Sequence, residues 1–251
     1  MKLSYLKYFI ILCFSVIIKN SIAQEDGGKK LRNKRKNPIT KTRISVSPVI
    51  SIYKPNKHHT SNTSQKKAFC FSIKEEIRLT PENKDFLFVG IEYMLHGLNF
   101  NSYYFYDDSL KLYNTNMNYN YKLILHEVDF PIQLKHSFQK ETNAIFTSYV
   151  YAGYCYRWMI KNNLIVENNG TELINKSENI IFKSPAFNPI NSSFLSVGIG
   201  FQKNMPLHYR AIFAELQFKY GLSPFYFHEN FTPNNLYISS HFLNFTIGYK
   251  L

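Results

Sequence analysis

Leu243-Asn244-Phe245-Thr246-Ile247-Gly248-Tyr249-Lys250-Leu251 is the stretch that decides the fold. Leu243, Phe245, Ile247, Tyr249 and Leu251 share one face and Asn244, Thr246, Gly248 and Lys250 the other. A period of two marks a strand with one apolar and one polar side. A chain that stops on such a strand, from Tyr237 onward, leaves a row of unpaired backbone groups. Pairing with the first strand, to close a barrel, removes that edge.

Upstream the alternation recurs seven times. Ile44, Val46, Pro48, Ile50 and Ile52 alternate in the first stretch, and Phe69, Phe71, Ile73, Ile77 and Leu79 in the second. Leu87 to Leu95, Val128 to Leu134, Val150 to Trp158, Leu195 to Phe201 and Ile212 to Tyr220 repeat the pattern. The polar faces carry charge: Lys74, Glu76, Arg78, Glu92, Glu127, Asp129, Lys135, Arg157, Glu215 and Lys219. Glu75 is the main charge on an apolar face. A soluble barrel turns its apolar residues inward and its charges to water. Charges of both signs on successive strands suit an interior in which they pair, while the apolar faces meet lipid.

The connections alternate too. Segments 54–66, 99–120, 161–192 and 223–236 are long and polar, whereas 80–85, 137–143 and 203–207 are short. Short turns on one side and long loops on the other are a property of membrane barrels. The expectation is an all-β fold, an eight-stranded antiparallel transmembrane up-and-down β-barrel over 41–251. Pro48 and Pro131 fall within strands and count against this reading, since proline removes a ladder donor and is tolerated at a bulge or near a strand end. With about eight strands the interior is just wide enough for side chains to fill. Glu92, Glu127, Asp129, Arg157, Glu215 and Lys219 are therefore expected to pair across it as a plug rather than line a pore.

Composition and targeting agree. The 251 residues include nineteen Tyr and twenty-two Phe, 17% aromatic with the single Trp, as aromatic girdles at two interfaces require. Residues 1–23 read as a signal peptide: Lys2 and Lys7, an apolar core Tyr8–Ile18, and a small-x-small site at Ser21-Ile22-Ala23. Cys13 lies inside that core and reads as leader. The formal charge is +13, three of it from Lys2, Lys7 and Lys19. Residues 24–40 hold six Lys or Arg against Glu25 and Asp26, and read as a basic periplasmic arm. Nucleic acid is a poor partner for an exported chain; outer-membrane lipid and other envelope proteins are the expected ones. Cys70 and Cys155 make no disulfide framework and read as free or buried thiols.

Asp129-Phe130-Pro131-Ile132-Gln133-Leu134-Lys135 resembles a strand common in the outer-membrane β-barrel domain family of Bacteroidota, the porin-family or PorT-like proteins. Tyr149-Val150-Tyr151-Ala152-Gly153-Tyr154 is similar to that family's next strand, and Gly90-Ile91-Glu92-Tyr93 with Gly97 to an upstream one. The resemblance runs over about 85–251, with Gln133 and Leu251 as departures. It implies location in the cell outer membrane, a largely unassigned role, and a link of some relatives to secretion machinery.

No spacing resembles a nucleophile elbow or a metal pair. His58-His59, His126, His136, His208 and His241 fall in loops or at strand ends, as do Ser61, Ser64, Asp107, Asp108 and Ser109. Loop polarity accounts for each, so no catalysis, cofactor or metal is expected. Tyr103, Tyr104 and Tyr106 form the most unusual loop patch: an interaction surface in one reading, an extension of the outer girdle in the other. The function expected is structural or interaction-based, through loops or arm. The alternatives are a part of a secretion or envelope-assembly complex, a lipid-modifying rim enzyme, and a small channel.

Overall fold

A computed structural model describes residues 40–55, 63–65, 68–80, 84–102, 105–107, 112–114, 119–139, 144–179, 192–205, 210–222, 225–227 and 236–251. The signal peptide and all but the last residue of the basic arm lie outside them. The strands are β1 (Thr40–Pro55), β2 (Thr63–Gln65), β3 (Ala68–Arg78), β4 (Asp85–Ser102), β5 (Phe105–Asp107), β6 (Leu112–Asn114) and β7 (Tyr119–Ser137). They continue as β8 (Phe146–Asn168), β9 (Thr171–Asn179), β10 (Ser192–Asn204), β11 (Ala211–Gly221), β12 (Phe225–Phe227) and β13 (Leu236–Lys250). Eight of them form an antiparallel wall in the order β1-β3-β4-β7-β8-β10-β11-β13, and β13 pairs back onto β1. The barrel is closed by the stretch 243–250, with Val46 opposite Ile247 and Ile44 opposite Tyr249.

The expected faces are the observed ones. Val197, Ile247 and Phe201 are 53%, 65% and 66% exposed on the outside, while Lys219, Asp129 and Lys250 are fully buried within. Phe138, Phe146 and Phe201 stand outward toward the short-turn end, and Tyr93, Tyr154, Tyr156 and Tyr220 toward the long-loop end. Aliphatic side chains fill the wall between. Among the described residues no helix is long and apolar enough to cross a membrane; the crossing elements are strands.

Three local features depart from the expectations. First, neither proline sits at a bulge or a strand end. Pro48 pairs with Phe69 of β3, and the β1–β13 ladder skips from Val46–Ile247 to Val49–Asn244 without a change of register. Pro131 pairs with Cys155 of β8, and the β4–β7 ladder skips from Val89–Ile132 to Glu92–Asp129, again in register. Each ring removes one donor on one side only, and the other ladder carries the strand through. At the first gap the Ser47 and Thr246 hydroxyls hydrogen-bond at 2.7 Å.

Second, the strands overrun their expected ends. β4, β7 and β8 continue into 99–120 and 161–168, segments expected as loop. Asn169 and Gly170, at φ 48° and 82°, make the left-handed pair that a two-residue hairpin needs, and the chain returns as β9 along β8.

Third, the overrun has its polarity reversed. Leu98, Phe100, Tyr121, Leu123, Leu125, Leu164 and Val166 are buried inside it as one cluster. Asn99, Asn101, Asn120, Lys122, Asn163 and Glu167 alternate with them along the strands and face outward. The switch from charged-inside to apolar-inside comes at His96 on β4 and at His126/Glu127 on β7, where the β7–β8 ladder shifts register.

Candidate functional site: the ion-paired lumen

Among the described residues, six cationic side chains (Arg43, Lys74, Lys135, Arg157, Lys219, Lys250) and five carboxylates (Glu76, Glu92, Glu127, Asp129, Glu215) are buried inside the wall. All six residues expected in the lumen network are among them. They fall into two tiers, and the strand pairing explains why. Nearer the short-turn end, Glu76 of β3 receives Lys135 at 3.1 Å, Lys250 at 3.2 Å and Arg43 at 3.3 Å. Arg43 also pairs with Glu215 and donates to the Tyr149 hydroxyl at 2.8 Å, which donates to Glu215 at 2.6 Å.

The upper tier centres on Lys219. Its ammonium pairs with Glu92 and, at 2.7 Å, with Asp129. Lys74 reaches Glu92 at 2.7 Å. Arg157 holds Asp129 in a two-pronged grip, Nε at 2.7 Å and Nη2 at 3.0 Å. Its Nη1 lies 2.8 Å from Glu127, close enough for an ion pair but outside hydrogen-bond geometry. His96 Nε2 contacts Glu127 at 2.6 Å, and its Nδ1 meets the Tyr53 hydroxyl.

Aromatic rings take up the remaining space. Arg43 lies 3.7 Å from the Phe213 centroid and 4.5 Å from that of Phe88. Arg157 lies 4.0 Å from Phe194 and 4.5 Å from Phe242. Such contacts gain strength when the cation is desolvated. Opposite them the wall is thinned: a Cβ on Gly200 would fall 2.3 Å from the Tyr149 ring and one on Gly198 2.3 Å from the Tyr151 ring. The lumen is a packed interior of ions and rings, crossed by side chains from every barrel strand.

Arg43 and Lys250 belong to this network but were not singled out from sequence; their signal is parity, since each lies on the polar face of its strand. The inward rings were missed for another reason. Phe88, Phe194, Phe213 and Phe242 interrupt polar faces, where the alternation rule puts large apolar residues outward. Cys70 and Cys155 are both free and buried in the lumen.

The other singled-out residues are dispersed. Tyr103, Tyr104, His58, His59, Ser61, Asp108, Ser109 and His208 lie outside the described residues. Tyr106 and Asp107 are in β5, opposite Tyr113 and Leu112 of β6, and Ser64 is in β2. His126 bonds the Tyr93 hydroxyl at 2.6 Å, His136 bonds Asp85 at 2.7 Å at the opposite rim, and His241 stacks on Tyr220 at 4.7 Å. Glu92, Asp129 and Cys155 approach one another closely enough to hold a metal ion, but the Lys219 ammonium already pairs with both carboxylates.

No family model matches the sequence, and no curated protein matches it. Solved structures resemble the fold. The outer membrane protein OprG from Pseudomonas aeruginosa is 11% identical over 84% of this chain and 94% of its own, with TM-score 0.46. Neisserial surface protein A is 12% identical over 84% and 96%, with TM-score 0.40. The outer membrane protease OmpT from Escherichia coli is 10% identical over 84% and 93%, with TM-score 0.42. At these identities no activity passes from any of them to this chain.

Proposed function

We propose that this chain is an outer-membrane β-barrel with a sealed lumen, whose role is structural or interaction-based and is carried by its long-loop side or its basic arm, 24–40. One observation carries this: the wall is apolar outside, while the inside holds charges of both signs that pair in two tiers. That arrangement suits lipid around the barrel and opposes solute flow through it. The finer reading places it among the PorT-like barrels of Bacteroidota, on the strength of 129–135 and 149–154, with a place in a secretion or envelope-assembly complex.

The test is fractionation of cells expressing the full chain, followed by gel mobility with and without boiling. Recovery in the outer membrane with heat-modifiable mobility is expected, together with silent planar bilayers. Crosslinking in intact cells should capture envelope proteins that are lost when 24–40 is deleted. Material freely soluble without detergent overturns the proposal.

A further inference from the structure

Where the inside–outside polarity inverts, the outer face of β4, β7, β8 and β9 gathers a distinct group of side chains. Trp158 is the last outward aromatic of β8, twelve residues beyond Phe146. At ~3.3 Å per residue and ~40° of tilt, those twelve residues rise about 30 Å, the height of the apolar band and its girdles. Immediately above, the register shift between His126 and Glu127 leaves Ile160 unpaired, so that Lys161 rather than its neighbour stands opposite His126.

His126 accepts from or donates to Tyr93 through Nδ1, at 2.6 Å. Tyr93 occupies that nitrogen, and Nε2 is the ring's other hydrogen-bonding atom. Higher on the same face Lys122 is paired with Glu167, and Glu172 stands opposite Glu167. Lys161 and the His126 imidazole thus lie next to the girdle, and Glu167 and Glu172 lie toward the β8–β9 hairpin tip. Among the residues whose side chains are described, no carboxylate pairs with Lys161.

We propose that Lys161 and His126, with Tyr93 and Trp158 beneath them, form a docking site for the phosphate of an outer-leaflet glycolipid headgroup. The inference rests on the outer-membrane reading above. The apolar wall below accommodates the acyl chains, a cation and an imidazole stand at phosphate height, and Glu167 and Glu172 lie farther out. A phosphate draws on that order of groups; an uncharged sugar headgroup does not.

Trp158 is the chain's single tryptophan and reports on the site directly. The full chain in phosphatidylcholine nanodiscs is titrated with a phosphorylated acyl-glucosamine disaccharide lipid, and with the same lipid after phosphatase treatment. Trp158 emission should saturate with the first lipid only. Lys161→Gln should weaken binding about fivefold, the loss of one cation at a membrane surface, and His126→Phe should also weaken it. Lys84→Gln, at the opposite rim, should leave it unchanged. Equal affinity for the phosphate-free lipid, or no effect of either site variant, overturns the docking site. Heat-modifiable mobility of each variant reports separately on the barrel, so failure of the site and failure of the outer-membrane reading are distinguished.

Discussion

Replacing Lys219 by Met removes the one cation that joins Glu92 to Asp129 and keeps the side-chain volume. The upper tier then holds Glu92, Glu127 and Asp129 against Lys74 and Arg157, one negative charge in excess in a fully buried place. Breaking a buried ion pair by deleting one partner costs about 3–5 kcal/mol. The lower end applies here, because Glu92 keeps Lys74 and Asp129 keeps both prongs of Arg157. A loss of about 3 kcal/mol is expected, read as a lower urea midpoint for unfolding from lipid vesicles by Trp158 emission. With urea slopes of about 1–3 kcal/mol per molar, the midpoint falls by about 1–3 M. Adding Asp129→Asn to Lys219→Met should recover part of the loss, since it cancels the excess charge. If Lys219→Met unfolds within about 0.5 kcal/mol of the natural chain, the ammonium does not sit between these carboxylates, and the two-tier description is wrong.

Other perturbations read other parts of the molecule. Gly200→Ala forces the Tyr149 ring away from Arg43 and Glu215 and should cost about 1–3 kcal/mol by overpacking, measured by the same unfolding. Val197→Arg puts a cation on the lipid face; near the midplane that costs about 2–4 kcal/mol and should lower the yield of heat-modifiable barrel, whereas Val197→Leu should not. Tyr53→Phe strips His96 Nδ1 of its partner in a buried position and should cost about 1–3 kcal/mol with the barrel still closed.

The strands of the membrane-facing wall were legible because a single rule held along them: apolar side chains outward, ionic ones inward. Val150 to Trp158 and Leu195 to Phe201 illustrate it. The rule has a domain, the lipid layer, and the strands do not end with it. Beyond His126 the surroundings become aqueous and the preference reverses, so Tyr121, Leu123 and Leu125 point inward while Lys122 and Ile124 point out. The period of two persists, but a search for one face polarity stops there and reads polar loop. The ionic partners were legible only in part. Parity places Glu92 and Lys219 inside, but their meeting across the barrel depends on strand stagger, which no spacing along the chain encodes. The inward aromatics Phe88 and Phe213 were hidden for a related reason: their value lies in facing a guanidinium contributed by a third strand.

The β1–β13 seam joins residues two hundred positions apart, as Val46 meets Ile247. None of the intermediate hairpins can substitute for that junction, so an insertion intermediate remains an open curved sheet with two bare margins until its final segment arrives. Contacts of such sequence separation make assembly slow, and the waiting margins invite mispairing with neighbouring chains. A truncation within 243–250 should accordingly harm biogenesis more than an equally long deletion in any connecting loop, and the damage should appear as aggregation during export rather than as a weakened finished protein.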